Sequence, residues 1–172
     1  VLRGGYPEAV WMDASRRRAW FDAYLTTMLT REARDLADIE RLTELPRLLA
    51  LLAARPATLL NFADLGRSVG LPATTLKRYF ALLEGIFLGR RLPPWHANIG
   101  KRMVKTAKVL LTDSGLAAHL AGLDPTRIEA DRTLLGGQLE AFVVMEITKQ
   151  LGWSEDAPGA YVKLRLDGKA AA

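Results

Sequence analysis

One set of short polar and basic side chains has the chemistry to hold a polyanion. Part of the set stands near the start of a predicted helix, where a helix in the major groove presents side chains to base edges and phosphates. Arginine can form two hydrogen bonds with guanine, and threonine and lysine can hold phosphate. The rest follows in a loop that could track the DNA backbone or minor groove. The set comprises Thr74, Thr75, Lys77 and Arg78 on the helix and Lys101, Arg102 and Lys105 in the loop, with Lys108 just after them.

The positive charge of the chain is concentrated in the segment that contains these residues. The whole chain carries a formal net charge of +5. Residues 61–112 hold nine Lys and Arg but only two acids, Asp64 and Glu84, so this segment is +7 and the remainder is −2. Such a distribution is typical of a surface that meets a polyanion.

The same surface could dock a protein, and a fold type alone does not separate the two functions. The charge favours nucleic acid. The absence of Asn and Gln from the outward face of the helix argues against strong base-specific readout. Binding of double-stranded DNA and protein–protein docking, including self-association into a homo-oligomer, are therefore both predictions at this point.

The sequence contains no complete catalytic site, and we predict no catalytic residue, metal ligand or cofactor within it. It has no G-x-x-x-x-G-K-[ST] loop to cradle the phosphates of ATP and no serine in a nucleophile elbow. Cysteine is absent, and the two histidines, His96 and His119, lie far apart and are interpreted as structural. Glu140 and Glu146 are the carboxylates most similar to those of a metal-dependent nuclease, but a solvated helix face is the favoured interpretation.

The composition predicts a globular protein of the cytoplasm. A chain of 172 residues with 49% hydrophobic content can form one domain or two small ones. Its longest apolar runs, such as residues 48–54, are far shorter than the roughly 20 residues of a membrane-spanning helix, so no membrane partner is expected. The lack of cysteine fits a reducing compartment. The first residues do not resemble a signal peptide, and without an initiator methionine they suggest a piece of a longer protein.

Hydrophobic periodicity predicts helices in the first third of the chain. Ser15 is expected to cap a helix whose aromatic and aliphatic stripe packs in a core and continues to about Ala37. Arg34-Asp35, near its end, is interpreted as part of a charged surface. A second helix is predicted to begin near Pro46, which suits a first helical turn, and to run to Arg55.

The middle of the chain predicts a helix-turn-helix. Asn61 is expected to cap a short helix over residues 62–69. Gly70-Leu71-Pro72 is expected to form the turn to a helix over residues 73–84. The buried stripe of this last helix is predicted to comprise Leu76, Tyr79, Phe80 and Leu83.

Two strand-like runs follow, at residues 86–92 and 108–112, and they enclose the basic loop. A helix, a short helix, a tight turn, a helix and a basic hairpin form the order of a winged helix. We therefore predict a mainly α fold with a small β wing, a winged helix-turn-helix flanked by further helices.

The last part of the chain predicts an incomplete α/β element. A short helix over residues 116–121 is followed by an expected linker over residues 122–132. Gly136-Gly137 would open a last helix over residues 138–151, and residues 161–166 alternate like a strand that needs a partner. The inward side chains of the last helix are predicted to be Leu139, Phe142, Val143 and Ile147.

Short motifs follow one another along nearly the whole sequence. They are Gly4-Gly5-Tyr6-Pro7-Glu8, Trp20-Phe21 with Tyr24-Leu25, Arg34-Asp35, Tyr79 to Leu83-Glu84, Leu92-Pro93-Pro94-Trp95, Asn98, Lys101-Arg102, Lys105, Asp113-Ser114-Gly115-Leu116, Gly137, Leu139-Glu140, Phe142-Val143, Glu146 and Lys149-Gln150. In order and spacing, this set resembles the C-terminal region of a large family of bacterial and archaeal predicted AAA-type ATPases.

The resemblance implies an ATPase core outside this sequence, then a winged-helix module, then a C-terminal domain of restriction-endonuclease type. ATP and Mg²⁺ would bind only to that core, which would also be the partner in the docking alternative. Glu140 would match the helix acid of the nuclease-like fold, but its partner carboxylates are not in this sequence. The predicted division is a helical connector at 1–45, the winged helix at 46–121, and a linker with an incomplete nuclease-like start at 122–172.

Overall fold

The computed structural model describes residues 1–32, 44–94 and 106–153, and these ranges are mainly helical with one small antiparallel sheet, as predicted. None of the helices in these ranges is long and apolar enough to cross a membrane. In chain order the elements are α1 (Pro7–Val10), α2 (Ala14–Thr27), a π-helix (Met28–Glu32), α3 (Leu45–Ala54), α4 (Phe62–Val69), α5 (Ala73–Gly85), β1 (Gly89–Leu92), β2 (Lys108–Leu111), α6 (Ser114–Leu120), α7 (Pro125–Ala130) and α8 (Thr133–Leu151).

A carboxylate begins α2. Asp13 is its N-cap and accepts hydrogen bonds from the backbone N–H groups of Ser15 and Arg16, at 3.0 and 2.9 Å. The expectation that Ser15 caps this helix is therefore wrong, because Ser15 already lies in the first turn and Asp13 reaches the free amides. The hydrogen bonds, first the one from Arg16 and then those from Ser15, lower the pKa of Asp13.

The inner face of α2 is aromatic, and its stripe packs in the core as predicted. Phe21 and Leu25 are buried. Tyr6, just before α1, lies 5.2 Å from the ring centre of Trp20, and its hydroxyl donates to the Tyr24 hydroxyl at 3.0 Å. Burial, and then this hydrogen bond, raises the pKa of Tyr6 far above its usual range.

The next helix follows its sequence signals. α3 has Pro46 in its first turn and ends at Ala54, within one residue of the predicted bounds.

The π-helix continues α2 as far as Glu32. The predicted continuation to Ala37, with Arg34-Asp35, lies outside the described residues.

The two predicted helices on either side of the Gly70 turn are present as α4 and α5, and α5 ends one residue beyond its predicted end. The side chain of Asn61 caps α4 by accepting from two backbone N–H groups of the first turn, at 3.0 and 3.2 Å. Gly70 ends α4 in the left-handed conformation, with φ of 76°, which favours glycine. A Cβ atom on Gly66 would lie 2.6 Å from the carbonyl oxygen of Leu71, so glycine also permits the close approach of the turn to α4.

The two predicted strands pair, although each is shorter than its strand-like run. β1 and β2 are antiparallel, with Gly89 opposite Leu111 and Leu92 opposite Lys108. The segment between α3 and α4 extends this pairing. Leu59 faces Lys108 in an isolated antiparallel bridge, and two backbone hydrogen bonds, of 2.8 and 3.0 Å, join residues 58–60 to residues 107–109.

The region expected to be a linker, residues 122–132, contains α7. Asp124 caps this helix by accepting from the backbone N–H of Arg127 at 2.8 Å, and Pro125 occupies its first turn. The expectation of a loop there is wrong because a cap followed by proline is itself a helix start. The last helix, α8, begins at Thr133 rather than at Gln138.

The face of α8 that packs inward is not the predicted one. Leu139, Val143 and Ile147 are 45%, 44% and 48% exposed, and Phe142 is only partly buried. The neighbouring row along the helix is buried instead, and it packs partly against the hairpin through a cluster of Ala57, Leu92, Leu110, Ala141 and Met145. The buried residues of α8 are Gln138, Ala141, Met145 and Thr148.

A glycine contact orients α8 on the rest of the fold. A Cβ atom on Gly137 would lie 2.8 Å from Cγ and 3.1 Å from the carbonyl oxygen of Pro56. The adjacent Gly136 has open space around its Cβ position. Next to this contact, the Gln138 amide donates to the carbonyl of Ala53 at 3.4 Å. These contacts turn the Gln138 row, and not the Leu139 row, toward the core.

Alanine at these two adjacent positions should change stability in opposite directions. Gly136→Ala should raise the free energy of unfolding by about 0.5–1 kcal/mol, because it lowers the entropy of the unfolded chain without a clash. Gly137→Ala should lower it by about 1–3 kcal/mol, because overpacking against Pro56 outweighs that gain. Urea unfolding of both variants checks this, and equal stabilisation by both would contradict the proposed contact.

Candidate functional site

The predicted recognition helix, α5, presents its polar side chains outward. Its buried residues include Leu76, Tyr79, Phe80 and Leu83, and this stripe was predicted. Thr74, Lys77 and Arg78 are exposed and Thr75 is partly buried. The structure therefore brings the four predicted helix residues together on one surface next to the turn that begins at Gly70.

Ion pairs reduce the basic character that the sequence gives this region. Arg67 pairs with Asp64 on α4, and Arg91 pairs with Glu84. The hydrogen bond from Arg91 to Glu84 raises the pKa of Arg91, whose guanidinium also lies 5.5 Å from the ring centre of Phe80. These two arginines are therefore engaged on the protein itself.

A third cation, Lys108, is also engaged. Its ammonium group pairs with Glu140 of α8, and its side chain is only 19% exposed. Lys108, which was predicted to add to the basic loop, is the first residue of β2, and the ion pair holds its charge at the contact between β2 and α8. Among the described residues of the basic segment, the cations left without an ion pair are Lys77, Arg78 and Arg90.

The predicted loop residues lie outside the described ranges. Lys101, Arg102 and Lys105, like His96, fall in residues 95–105. The predicted strand over residues 161–166 falls in residues 154–172, which are also outside. The placement of the loop residues beside α5 stays a prediction.

The acids and the histidine considered for catalysis have structural partners. Glu140 holds Lys108, and Glu146 accepts from Lys149 at 2.7 Å. His119 lies 2.8 Å from Asp22 through Nε2. In the described part of the chain, no group of three or more His, Asp or Glu side chains could hold a metal ion.

Sequence reasoning missed a second constellation, around the buried side chain of Asp113. One carboxylate oxygen accepts from the backbone N–H of Leu116 at 2.8 Å and so caps α6. The other accepts from the backbone N–H of Gly5 at 2.7 Å, across 108 residues of sequence. Two of the motifs that carry the ATPase-family resemblance, at residues 4–8 and 113–116, therefore meet in space. No spacing in the sequence indicates this meeting.

The glycines of these motifs allow the close approach. Gly4 has φ of 74°, and a Cβ atom there would collide with the Asp113 carboxylate. A Cβ atom on Gly115 would lie 2.5 Å from the backbone of Arg3. The hydroxyl of Ser114 donates to the carbonyl of Val1 at 2.7 Å. Residues 1–5, the N-terminal segment, therefore lie against the start of α6.

Comparison with known proteins assigns the chain to a family. Residues 1–127 match the family described as a domain of unknown function, DUF8612. The chain belongs to this family. It is also 33% identical over 151 residues to a protein of Mycobacterium tuberculosis and to one of Mycobacterium bovis, both named as uncharacterized. These matches cover 87% of this chain but 34% of each relative, so the chain spans about a third of the length of the curated relatives it matches. No solved structure matches it significantly.

The matched residues of the DUF8612 family include both the helix-turn-helix and the Asp113 constellation, whereas α8 lies beyond them.

Asp113→Ala should lower the free energy of unfolding by about 2 kcal/mol or more, because it removes the cap of α6 and leaves the Gly5 amide without its acceptor. Glu129→Ala, at an exposed acid of α7, is the matched control and should change stability little. Thermal and urea unfolding measure both variants. Equal, small effects would show that the carboxylate does not hold the N-terminal segment.

Proposed function

We propose that residues 46–121 form a winged helix that binds double-stranded DNA and that this chain is the non-catalytic part of a longer ATPase. The observation that carries the proposal is the outward placement of Lys77 and Arg78 on the second helix of a helix-turn-helix, with no ion pair to a described residue. Cations in this position are available to phosphates and base edges.

The order and pairing of the elements support the winged-helix part of the proposal. α3 is followed by a short segment paired with β2, then by α4, a glycine turn, α5 and the β1–β2 hairpin. A helix-turn-helix with a short turn containing glycine is a recurrent DNA-binding unit, whose second helix enters the major groove. The hairpin would stand beside that helix as the wing.

The types of the exposed side chains support phosphate contact more than base reading. Thr74 and Lys77 can hold phosphate, and Arg78 can hold phosphate or guanine. No Asn or Gln lies on this helix. We therefore expect binding with a strong dependence on salt and with modest sequence preference.

The ATPase part of the proposal rests on the family resemblance and on the length of the curated relatives, of which this chain matches about a third. The motifs that meet at Asp113 belong to the set that resembles the C-terminal region of AAA-type ATPases. In this proposal the DNA-binding unit acts for an ATP-binding core elsewhere in the longer chain, which would take ATP and Mg²⁺. The whole would work in the bacterial or archaeal cytoplasm, where DNA and ATP are both present.

Protein docking is the second candidate, and the exposed apolar row of α8 favours it. Leu139, Val143 and Ile147 form a continuous outward row, spaced by one helical turn. Apolar side chains in such a row can anchor a partner protein. This candidate places the contact on α8, so it can be separated from DNA binding at α5.

Removing two cations from α5 tests the DNA proposal. Lys77→Gln combined with Arg78→Gln should weaken binding to a labelled mixed-sequence duplex. Each lost phosphate contact should reduce the slope of log affinity against log salt by about 1, so the double variant should lose about 2. Fluorescence anisotropy at several salt concentrations measures affinity and slope, and circular dichroism checks that helicity is unchanged.

The matched control removes two exposed arginines outside the basic segment. Arg16→Gln combined with Arg31→Gln makes the same change in net charge, and its slope should stay close to that of the original chain. Equal losses in the two double variants would show only a general charge effect. An original chain that does not bind the duplex even at low salt would overturn the proposal and direct the search to a protein partner.

A further inference from the structure

A cavity of about 470 Å³ lies between the N-terminal segment, α2 and the C-terminal end of α6. Ligand pockets for small organic molecules have volumes of roughly 300–1,000 Å³, so this cavity has the size of such a site. It contains none of the residues assigned to DNA binding above. It is therefore an independent feature of the molecule.

One face of α2 forms a wall of the cavity. Ala14, Arg17, Arg18 and Phe21 all line it, and residues at this spacing lie on one side of a helix. The N-terminal segment contributes Arg3 from the facing side. Three arginine residues thus line one cavity.

The side chains of two of these arginines have no ion pair or hydrogen bond with any described residue. Arg3 and Arg18 are both exposed at the cavity. Arg17 is partly engaged, since it donates to the carbonyl of Met12 at 2.8 Å through one guanidinium nitrogen. The acid of the lining, Asp124, already caps α7. The lining therefore has more positive than negative charge and keeps donors available for an anion.

The floor of the cavity is aromatic and apolar. Phe21 is 1% exposed, and the imidazole of His119 stacks on it with ring centres 5.4 Å apart. Leu2 and Leu123 add aliphatic surface. His119 also faces Asp22, which holds the ring in place. An aromatic or apolar body of a ligand would find its complement here.

We propose that this cavity binds a small organic monophosphate with an aromatic body, of the size of a mononucleotide. Arginine forms paired hydrogen bonds to phosphate oxygens in a planar fork, so Arg3 and Arg18 match a dianionic phosphate in charge and geometry. The aromatic body would lie against the His119 imidazole, Leu2 and Leu123, with Phe21 buried beneath the imidazole. Neither the phosphate nor the aromatic body alone would contact the whole lining, because the lining contains both arginines and apolar residues.

Binding of two probes, adenosine monophosphate and phenyl phosphate, tests this proposal by isothermal titration calorimetry on the whole chain. At least one probe should bind, and adenosine, phenol and inorganic phosphate should each bind about tenfold more weakly or worse, because each lacks half of the match. Arg3→Gln and Arg18→Gln should each weaken the binding of whichever of these two probes binds by about tenfold. Arg16→Gln is the control, since it is an exposed arginine of the same helix on another face, paired with Asp13.

A second variant separates this cavity from the rest of the surface. Ala14→Trp should fill its opening and abolish binding while all the arginines stay in place. Binding that survives Ala14→Trp, or that Arg16→Gln reduces as much as Arg18→Gln does, would overturn the assignment to this cavity. Failure of both probes to bind at millimolar concentration would overturn the proposal itself.

Discussion

The carboxylate of Asp113 stands where the N-terminal segment, the sheet and α6 meet. A buried charge is costly unless hydrogen bonds replace its water, and here two backbone amides do so, those of Gly5 and Leu116. Both partners are backbone groups, so they can reach the carboxylate only if the main chain comes very close. The glycines at positions 4 and 115 are the consequence, because a side chain at either position would occupy space that the carboxylate or the backbone already fills.

The hydrogen bonds of Asp113 also belong to a chain of contacts that reaches α2. The N-terminal segment lies against the start of α6, and the far end of α6 carries His119, which stacks on Phe21 and faces Asp22 of α2. α1 and α2 are in turn joined by the aromatic cluster around Tyr6. The cavity at α2 is thus bounded by elements tied together through Asp113 at one end and His119 at the other. These contacts join the backbone segments around the cavity to one another.

Parts of the fold with local signals could be predicted from the sequence. The cap at Asn61 and the glycine at position 70 determine α4 and its turn through contacts a few residues away. The inward face of α8 could not be predicted in this way, because apolar residues occupy two adjacent rows of that helix. The choice between the rows depends on Pro56 touching Gly137 and on the Gln138 amide reaching Ala53, which are contacts between distant segments. The start of α7 had a local signal, Asp124-Pro125, that sequence reasoning overlooked.

The charge of the candidate interface could likewise be predicted only in part from composition, because the ion pairs depend on the folded structure. Charge counting pointed to residues 61–112 as the candidate segment, but a count treats every cation alike, and three of these cations are paired with Asp64, Glu84 and Glu140. Paired cations release fewer counterions from a polyanion than free ones, since their positive field is already cancelled nearby. The free positive charge of the described segment is therefore concentrated on α5, with Arg90 on β1. The pair between Lys108 and Glu140 has a further effect, because it uses a cation of β2 to hold α8 against the hairpin. Lys108 is thereby removed from the cations that this strand could offer to a polyanion.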